Sequence, residues 1–199
     1  MAFSKINIDV FRSINDLGSQ FSALNPVVIF MAEYMLFFIC FIIVLYWFTR
    51  TTKNRRMVIQ SLCACALAEI LGKAAGQFYS HHQPFAALPH VNKLVEHAVD
   101  NSFPSDHTIL FFSIFISIWM VRKKGWWFWL VIPVCIGVSR IWVGVHYPVD
   151  VAAGALLGII SALLIHWVMP RLSIINRFLV FYEDIEQRIL PFKNKSKSL

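Results

Sequence analysis

Four stretches of the chain, 26–48, 57–79, 126–145 and 149–169, are continuously apolar. Each has about the twenty residues a helix needs to cross a hydrocarbon core of roughly 30 Å. A fifth, 105–121, is shorter. At about 1.5 Å per residue it would cover about 25 Å, which places its N-terminus slightly below the headgroups. Polar and basic clusters separate the five, with no internal repeat, low-complexity block or long linker. The pattern predicts an all-α, polytopic membrane bundle of five transmembrane helices, or six, forming one domain over 1–199. Segment 171–190 mixes apolar residues with charges of both signs, which suits a helix lying at the interface rather than a span. Segment 7–21 reads as a second interfacial helix. Residues 1–18 are polar and mixed in charge, and the first apolar run outlasts a signal-peptide core, so no cleavable signal peptide is expected.

Composition supports this reading: 58% of residues are hydrophobic, 15% are charged, and the mean hydropathy is +0.63. Cys40, Cys63, Cys65 and Cys135 all lie inside apolar stretches, as small buried hydrophobes and not as a disulfide or zinc framework. The net charge of +7 could suggest a nucleic-acid partner, but the basic residues form short clusters between apolar segments. Membrane topology accounts for them better. With five spans, thirteen Lys and Arg fall on one face and only Lys5, Arg12 and Lys93 on the other. The basic face is expected to be cytoplasmic, with the tail 170–199 on it and the N-terminus outside the cell membrane.

Ionisable residues inside spans are costly and are functional candidates until a structural partner is found. Lys73 lies near the outer end of the second span, with Glu69 one turn deeper at the i,i+4 spacing. Ser139 and Arg140 lie near the outer end of the fourth, Pro104, Ser105, Asp106 and His107 open the third, and His146 and Asp150 flank the turn before the fifth. Four pieces of chain therefore converge on one face. Lys73 and Arg140 supply positive charge, and Arg140 adds a planar fork of donors suited to phosphate oxygens. Ser105 stands at a helix start, where free N–H groups favour an anion. Asp106 would repel a phosphate, so its carboxylate is expected to point away. Pro148 sits between His146 and Asp150, as at the first turn of a helix. The carboxylate could then hold one imidazole N–H and leave the other nitrogen to attack, with His107 as proton donor to the leaving oxygen.

These residues resemble the signatures of the type 2 phosphatidic acid phosphatase superfamily. Its P-S-x-H motif matches FPSDH at 103–107, and its S-R, five residues, H, three residues, D motif matches SRIWVGVHYPVD at 139–150. The resemblance implies His146 as nucleophile, Asp150 as its orienter, His107 as general acid and Ser105, Arg140 and Lys73 as phosphate ligands, with no metal and no cofactor. The family's first motif usually has Arg-Pro after the Lys. Here Lys73 is followed by AAGQFYSHHQPF, and Gln83-Pro84 stands in that place. One charge is thereby removed from the phosphate cradle. Gln83 can donate from its amide instead, and His81 or His82 adds charge when protonated. Within the superfamily the chain is most similar to bacterial undecaprenyl pyrophosphate phosphatases of the bacitracin-resistance type. That likeness implies a polyprenyl pyrophosphate substrate in the bilayer, a site on the extracytoplasmic face, and neither a nucleic-acid nor an obligate protein partner.

Other features have plainer readings. Glu69 neutralises Lys73, Glu33 is a hydrogen-bonded helix contact, His166 is packing, and His90 and His97 are solvated. Trp126, Trp127 and Trp129 form an interfacial belt. Asp100, Asn101 and Ser102 form a turn at the rim, and Gly154 and Gly158 allow close helix packing. Two other functions stay open: a phosphatase or phosphotransferase for phosphatidylglycerol phosphate or phosphatidic acid, and a non-catalytic lipid- or antibiotic-binding protein such as an exporter.

Overall fold

A computed structural model describes residues 2–123, 125 and 127–189. Most of the described residues are helical, with no strand among them. In chain order the α-helices are α1 (Ala2–Asn15), α2 (Leu17–Gln20), α3 (Asn25–Glu33), α4 (Met35–Phe48), α5 (Thr52–Phe78), α6 (Pro84–Ala87), α7 (Asp106–Arg122), α8 (Val131–Trp142), α9 (Pro148–Val168) and α10 (Ser173–Ile189). Trp126, Lys124 and the tail beyond Ile189 lie outside the described residues.

Two elements are long and apolar enough to cross a membrane alone: Thr52–Phe78, with 27 residues, and Pro148–Arg171, with 24. The stretch 26–48 is not one straight span. Its two halves, α3 and α4, are bent by 46° at their break, and only if the pair is taken as one broken span does it add a third crossing. The helical segments of the remaining two stretches are shorter: α7 has 17 residues, and the fourth stretch is a short apolar helix over Trp127–Trp142.

The apolar residues of α7 face inward. Ile109, Phe111, Ile114, Phe115 and Ile118 are buried, and the last four pack with Ile39 and Ile43 of α4, Met57 and Val58 of α5 and Ile136 of α8. Elsewhere large apolar side chains cover the outside, including Phe37, Phe41 and Phe48 on α4 and Leu156, Leu163 and Trp167 on α9. An apolar exterior of this extent belongs against lipid.

The centre of the bundle is α5, α7 and α9, each packed on the other two. Gly154 and Gly158 allow the α7–α9 approach: a Cβ on Gly154 would lie 2.8 Å from the Ser105 carbonyl oxygen, and one on Gly158 would lie 2.9 Å from that of Ile109. This contact brings the starts of α7 and α9 together, and the Ser105 N–H donates to the Asp150 carbonyl at 3.2 Å. The two terminal helices close the bundle at opposite ends. At the motif end, α1 packs on α8 and α9 through buried Phe11, whose ring lies 5.5 Å from that of Tyr147, and through Asn15, which donates to the carbonyls of Asn92 (2.9 Å) and Trp142 (2.8 Å). At the other end, α10 packs on α5, where Arg55 pairs with Glu186 at 2.5 Å and Glu183 at 3.5 Å.

Candidate active site

The end of the bundle where α5 and α8 finish and α7 and α9 begin gathers the chemically active residues. Pro148 takes the first turn of α9, with Tyr147 as its N-cap. The Asp150 carboxylate folds back to accept the Tyr147 N–H at 2.8 Å through Oδ2. The Asp150 N–H returns to the Tyr147 carbonyl at 3.0 Å, so the carboxylate half of a capping box is formed, and it fixes Asp150, which is fully buried, beside His146 in the preceding turn.

His146 is oriented differently from the simplest expectation. Its Nδ1 lies 3.7 Å from Asp150 Oδ2, beyond hydrogen-bond distance, and 2.9 Å from the carbonyl oxygen of Ser102. The hydrogen-bond network therefore assigns the ring proton to Nδ1, donated to Ser102, and leaves Nε2 with its lone pair. The Ser102 hydroxyl completes the link, donating to Asp150 Oδ2 at 2.6 Å. Asp150 thus reaches the histidine through Ser102, a residue that reads in the sequence as part of a rim turn. Burial pushes the His146 imidazole below its ordinary range, while Asp150 and the Ser102 carbonyl pull it back upward. A neutral ring with a free Nε2 is the form suited to nucleophilic attack.

Arg140 is 1% exposed. Its Nη1 donates to the Ala32 carbonyl at 2.9 Å and to Glu33 Oε1 at 3.1 Å, while its buried Nε has no partner among the described residues. Glu33 ends α3 at the bend before α4, so the broken first span supplies the group that orients this guanidinium. Ser105 is fully buried at the N-cap of α7, its hydroxyl accepting from Thr108 Oγ1 at 3.0 Å. The hydroxyl proton of Ser105 remains available to an incoming oxygen. His107, in the first turn of α7, is half-buried and within electrostatic reach of Arg140, His146 and His97.

Lys73 is exposed on the last turns of α5 and makes no ion pair within 4.0 Å among the described residues. Glu69 feels its charge, and that of Asp106, without closing on it. Asp106 is exposed. Gln83 is fully buried with both ends of its amide turned to Asp100: Nε2 donates to Asp100 Oδ1, and Oε1 accepts the Asp100 N–H at 3.1 Å. It braces the loop that carries Ser102. His166 lies far along α9, with Nδ1 3.3 Å from Gln60 Oε1. His97 is half-buried, its ring 6.3 Å from that of His146.

The family model of the PAP2 superfamily matches residues 57–174. The chain belongs to that superfamily. Relatives of the PAP2 chain include the bacitracin transport permease protein BcrC of Bacillus licheniformis, 61% identical over 98% of this chain and 97% of its own length. The undecaprenyl-diphosphatase BcrC of Bacillus subtilis is 31% identical over 80% of this chain and 82% of its own. Among solved structures, Aquifex aeolicus LpxE superposes with a TM-score of 0.61 at 27% identity, covering 80% of this chain and 94% of that one. The PAP2 membership makes this an integral membrane phosphatase bundle, and the matched stretch contains Lys73, Ser105, His107, Arg140, His146 and Asp150.

Two residues of the site lie outside the motifs read in the sequence: Ser102 and Glu33. Glu33 had a signal in the sequence, as a carboxylate in an apolar span for which Arg140 is a buried counter-charge. Ser102 had little, since a serine before a proline loop is common in turns.

Proposed function

We propose that this protein hydrolyses undecaprenyl pyrophosphate to the monophosphate and phosphate, recycling a cell-wall lipid carrier and conferring resistance to bacitracin. The observation that carries the chemistry is the buried His146, whose Nδ1 proton is committed to Ser102 at 2.9 Å while Nε2 is left free. The name of the Bacillus subtilis relative supplies the substrate, and that of the Bacillus licheniformis relative the link to bacitracin.

In the proposed reaction the terminal phosphate is held by Arg140, Ser105 and Lys73. Nε2 of His146 attacks phosphorus, the bond to the bridging oxygen breaks, and His107 delivers a proton to the departing lipid monophosphate. The phosphohistidine is then attacked by water, which gives a proton back to His107 as phosphate leaves. Asp150, acting through Ser102, holds His146 in the reactive tautomer. Gln83 serves through Asp100 by fixing the loop. No step needs a metal.

We place the site on the extracytoplasmic face. The support is the charge distribution: Arg50, Lys53, Arg55, Arg56, Arg122 and Lys123 all lie at the end of the bundle opposite the motifs, and such clusters favour the cytoplasm.

The word permease in one relative's name favours a second reading, export of the antibiotic. Transport has no use for a neutral buried histidine with a free nitrogen beside an under-coordinated arginine. Purified protein given undecaprenyl pyrophosphate in the presence of EDTA should release phosphate, and His146→Ala should lose at least about a thousandfold of this activity. Phosphate release by His146→Ala at the wild-type rate would overturn the mechanism, and none from the wild-type protein would favour the exporter.

A further inference from the structure

The two oxygens of Asp150 differ sharply. Oδ2 accepts from the Ser102 hydroxyl at 2.6 Å and the Tyr147 N–H at 2.8 Å. Oδ1 is buried and accepts no hydrogen bond among the described residues, yet His81 Nε2 lies 3.0 Å from it. Both ring nitrogens of His81 are themselves buried without a hydrogen-bond partner. A buried carboxylate oxygen and a buried imidazole nitrogen at this separation are complementary when the nitrogen carries a proton, and the contact is strongest when the ring is cationic.

The backbone keeps His81 there. Its carbonyl accepts the Ser102 N–H at 2.8 Å, and its own N–H donates to Asn101 Oδ1 at 3.2 Å. The loop that sets Ser102 against His146 therefore also sets His81 against Asp150. Tyr79, Tyr147 and Phe103 surround the ring at centroid distances of 5.2, 5.3 and 6.2 Å.

We propose that His81 is a positioning residue of the hydrolytic site, a second imidazole that acts through Asp150 to keep His146 neutral and nucleophilic. The proposal rests on His146 being the nucleophile. Asp150, Tyr79 and Tyr147 are the titratable groups facing His81, while Arg140, His107, His97 and Asp150 face His146. Asp150 is the charge common to both rings. Left alone, its carboxylate favours the imidazolium of His146, which cannot attack. A cation on Oδ1 offsets that pull, so His146 stays neutral to a lower pH.

The test is the pH profile of kcat/KM for the purified full chain on undecaprenyl pyrophosphate, compared among wild type, His81→Asn and His81→Lys. The titration of the substrate is common to all three and cancels. His81→Asn should move the acidic limb upward by about one pH unit, with KM on the alkaline plateau unchanged. His81→Lys, which carries a fixed cation, should return the limb to the wild-type position or below it. An unmoved limb in His81→Asn overturns the proposal, whether activity is retained or uniformly reduced. A raised KM with an unmoved limb also overturns it and makes His81 a phosphate contact. Acid-labile labelling of His146 by substrate phosphate tests the nucleophile separately, so failure of that reading can be told from failure of this one.

Discussion

Two arginines, each 1% exposed, lie at opposite ends of the bundle, and they are held in opposite ways. Arg55 at the start of α5 is saturated. It meets Glu186 at 2.5 Å and Glu183 at 3.5 Å, donates to the Trp47 carbonyl at 3.4 Å, and has its guanidinium 4.9 Å from the Tyr182 ring centre and 5.7 Å from that of Trp47. Arg55 in turn holds the Glu186 carboxyl below its usual range. Arg140 has one carboxylate, Glu33, and one carbonyl, and its Nε is unpartnered among the described residues. A buried polar group left without a partner costs stability. Equal burial with unequal satisfaction fits a structural clamp at one end and, in the proposed reaction, a cradle completed by the substrate at the other.

Exchanging each arginine for glutamine should break that comparison most visibly. Arg140→Gln should lower kcat/KM by at least about a hundredfold, as loss of a principal oxyanion donor does, with a small change in thermal midpoint. Arg55→Gln should do the reverse. Breaking a buried pair costs about 3–5 kcal/mol, so its midpoint should fall well below that of Arg140→Gln while activity per folded molecule is retained. Thermal unfolding in detergent and phosphate release, measured on the same preparations, check both. A stable, inactive Arg55→Gln would contradict the division of roles.

The difference between the two ends also marks what could be read without coordinates. The helices and the clustering of motifs follow from apolar length and from ionisable residues placed where lipid makes them costly, and both are properties of the residues themselves. The partners of those residues depend on the bend at Tyr34, which swings Glu33 onto Arg140, and on a loop that turns Ser102 and His81 toward Asp150. Backbone direction in a break or a loop leaves no periodic trace. Arg55 shows the same limit at the other end, because the basic cluster of Arg50, Lys53, Arg55 and Arg56 reads as topology until α10 is seen to supply Glu183 and Glu186. Gln83 is the converse case: its place in the first motif suggests a phosphate donor, but Asp100 lies close enough to engage its amide.

A smaller effect should come from Ser102→Ala. It removes the 2.6 Å donor to Asp150 Oδ2 but keeps the carbonyl that receives the His146 proton. A hydrogen bond to a charged acceptor is worth about 1.5–3 kcal/mol. If that energy serves catalysis, kcat should fall by between about tenfold and a hundredfold with KM little changed. An unchanged kcat would mean that Asp150 acts on His146 by its charge alone and not through the Ser102 hydroxyl.

The smallest effect on chemistry is expected at Gln83, and it sharpens the contrast between a group that meets substrate and one that holds a loop. Gln83→Leu leaves the Asp100 N–H without its 3.1 Å acceptor and removes the donor to its carboxylate. Asp100 is exposed, so its freed groups can turn to water and only the net hydrogen bonds are lost, about 0.5–1.5 kcal/mol each; the thermal midpoint should drop slightly. Turnover of the protein that remains folded should change less than in Ser102→Ala, because the phosphate would be bound by Arg140, Ser105 and Lys73. A several-fold rise in KM with an unaltered midpoint would instead put the amide of Gln83 on the phosphate. It would then take the place of the missing arginine of the first motif directly.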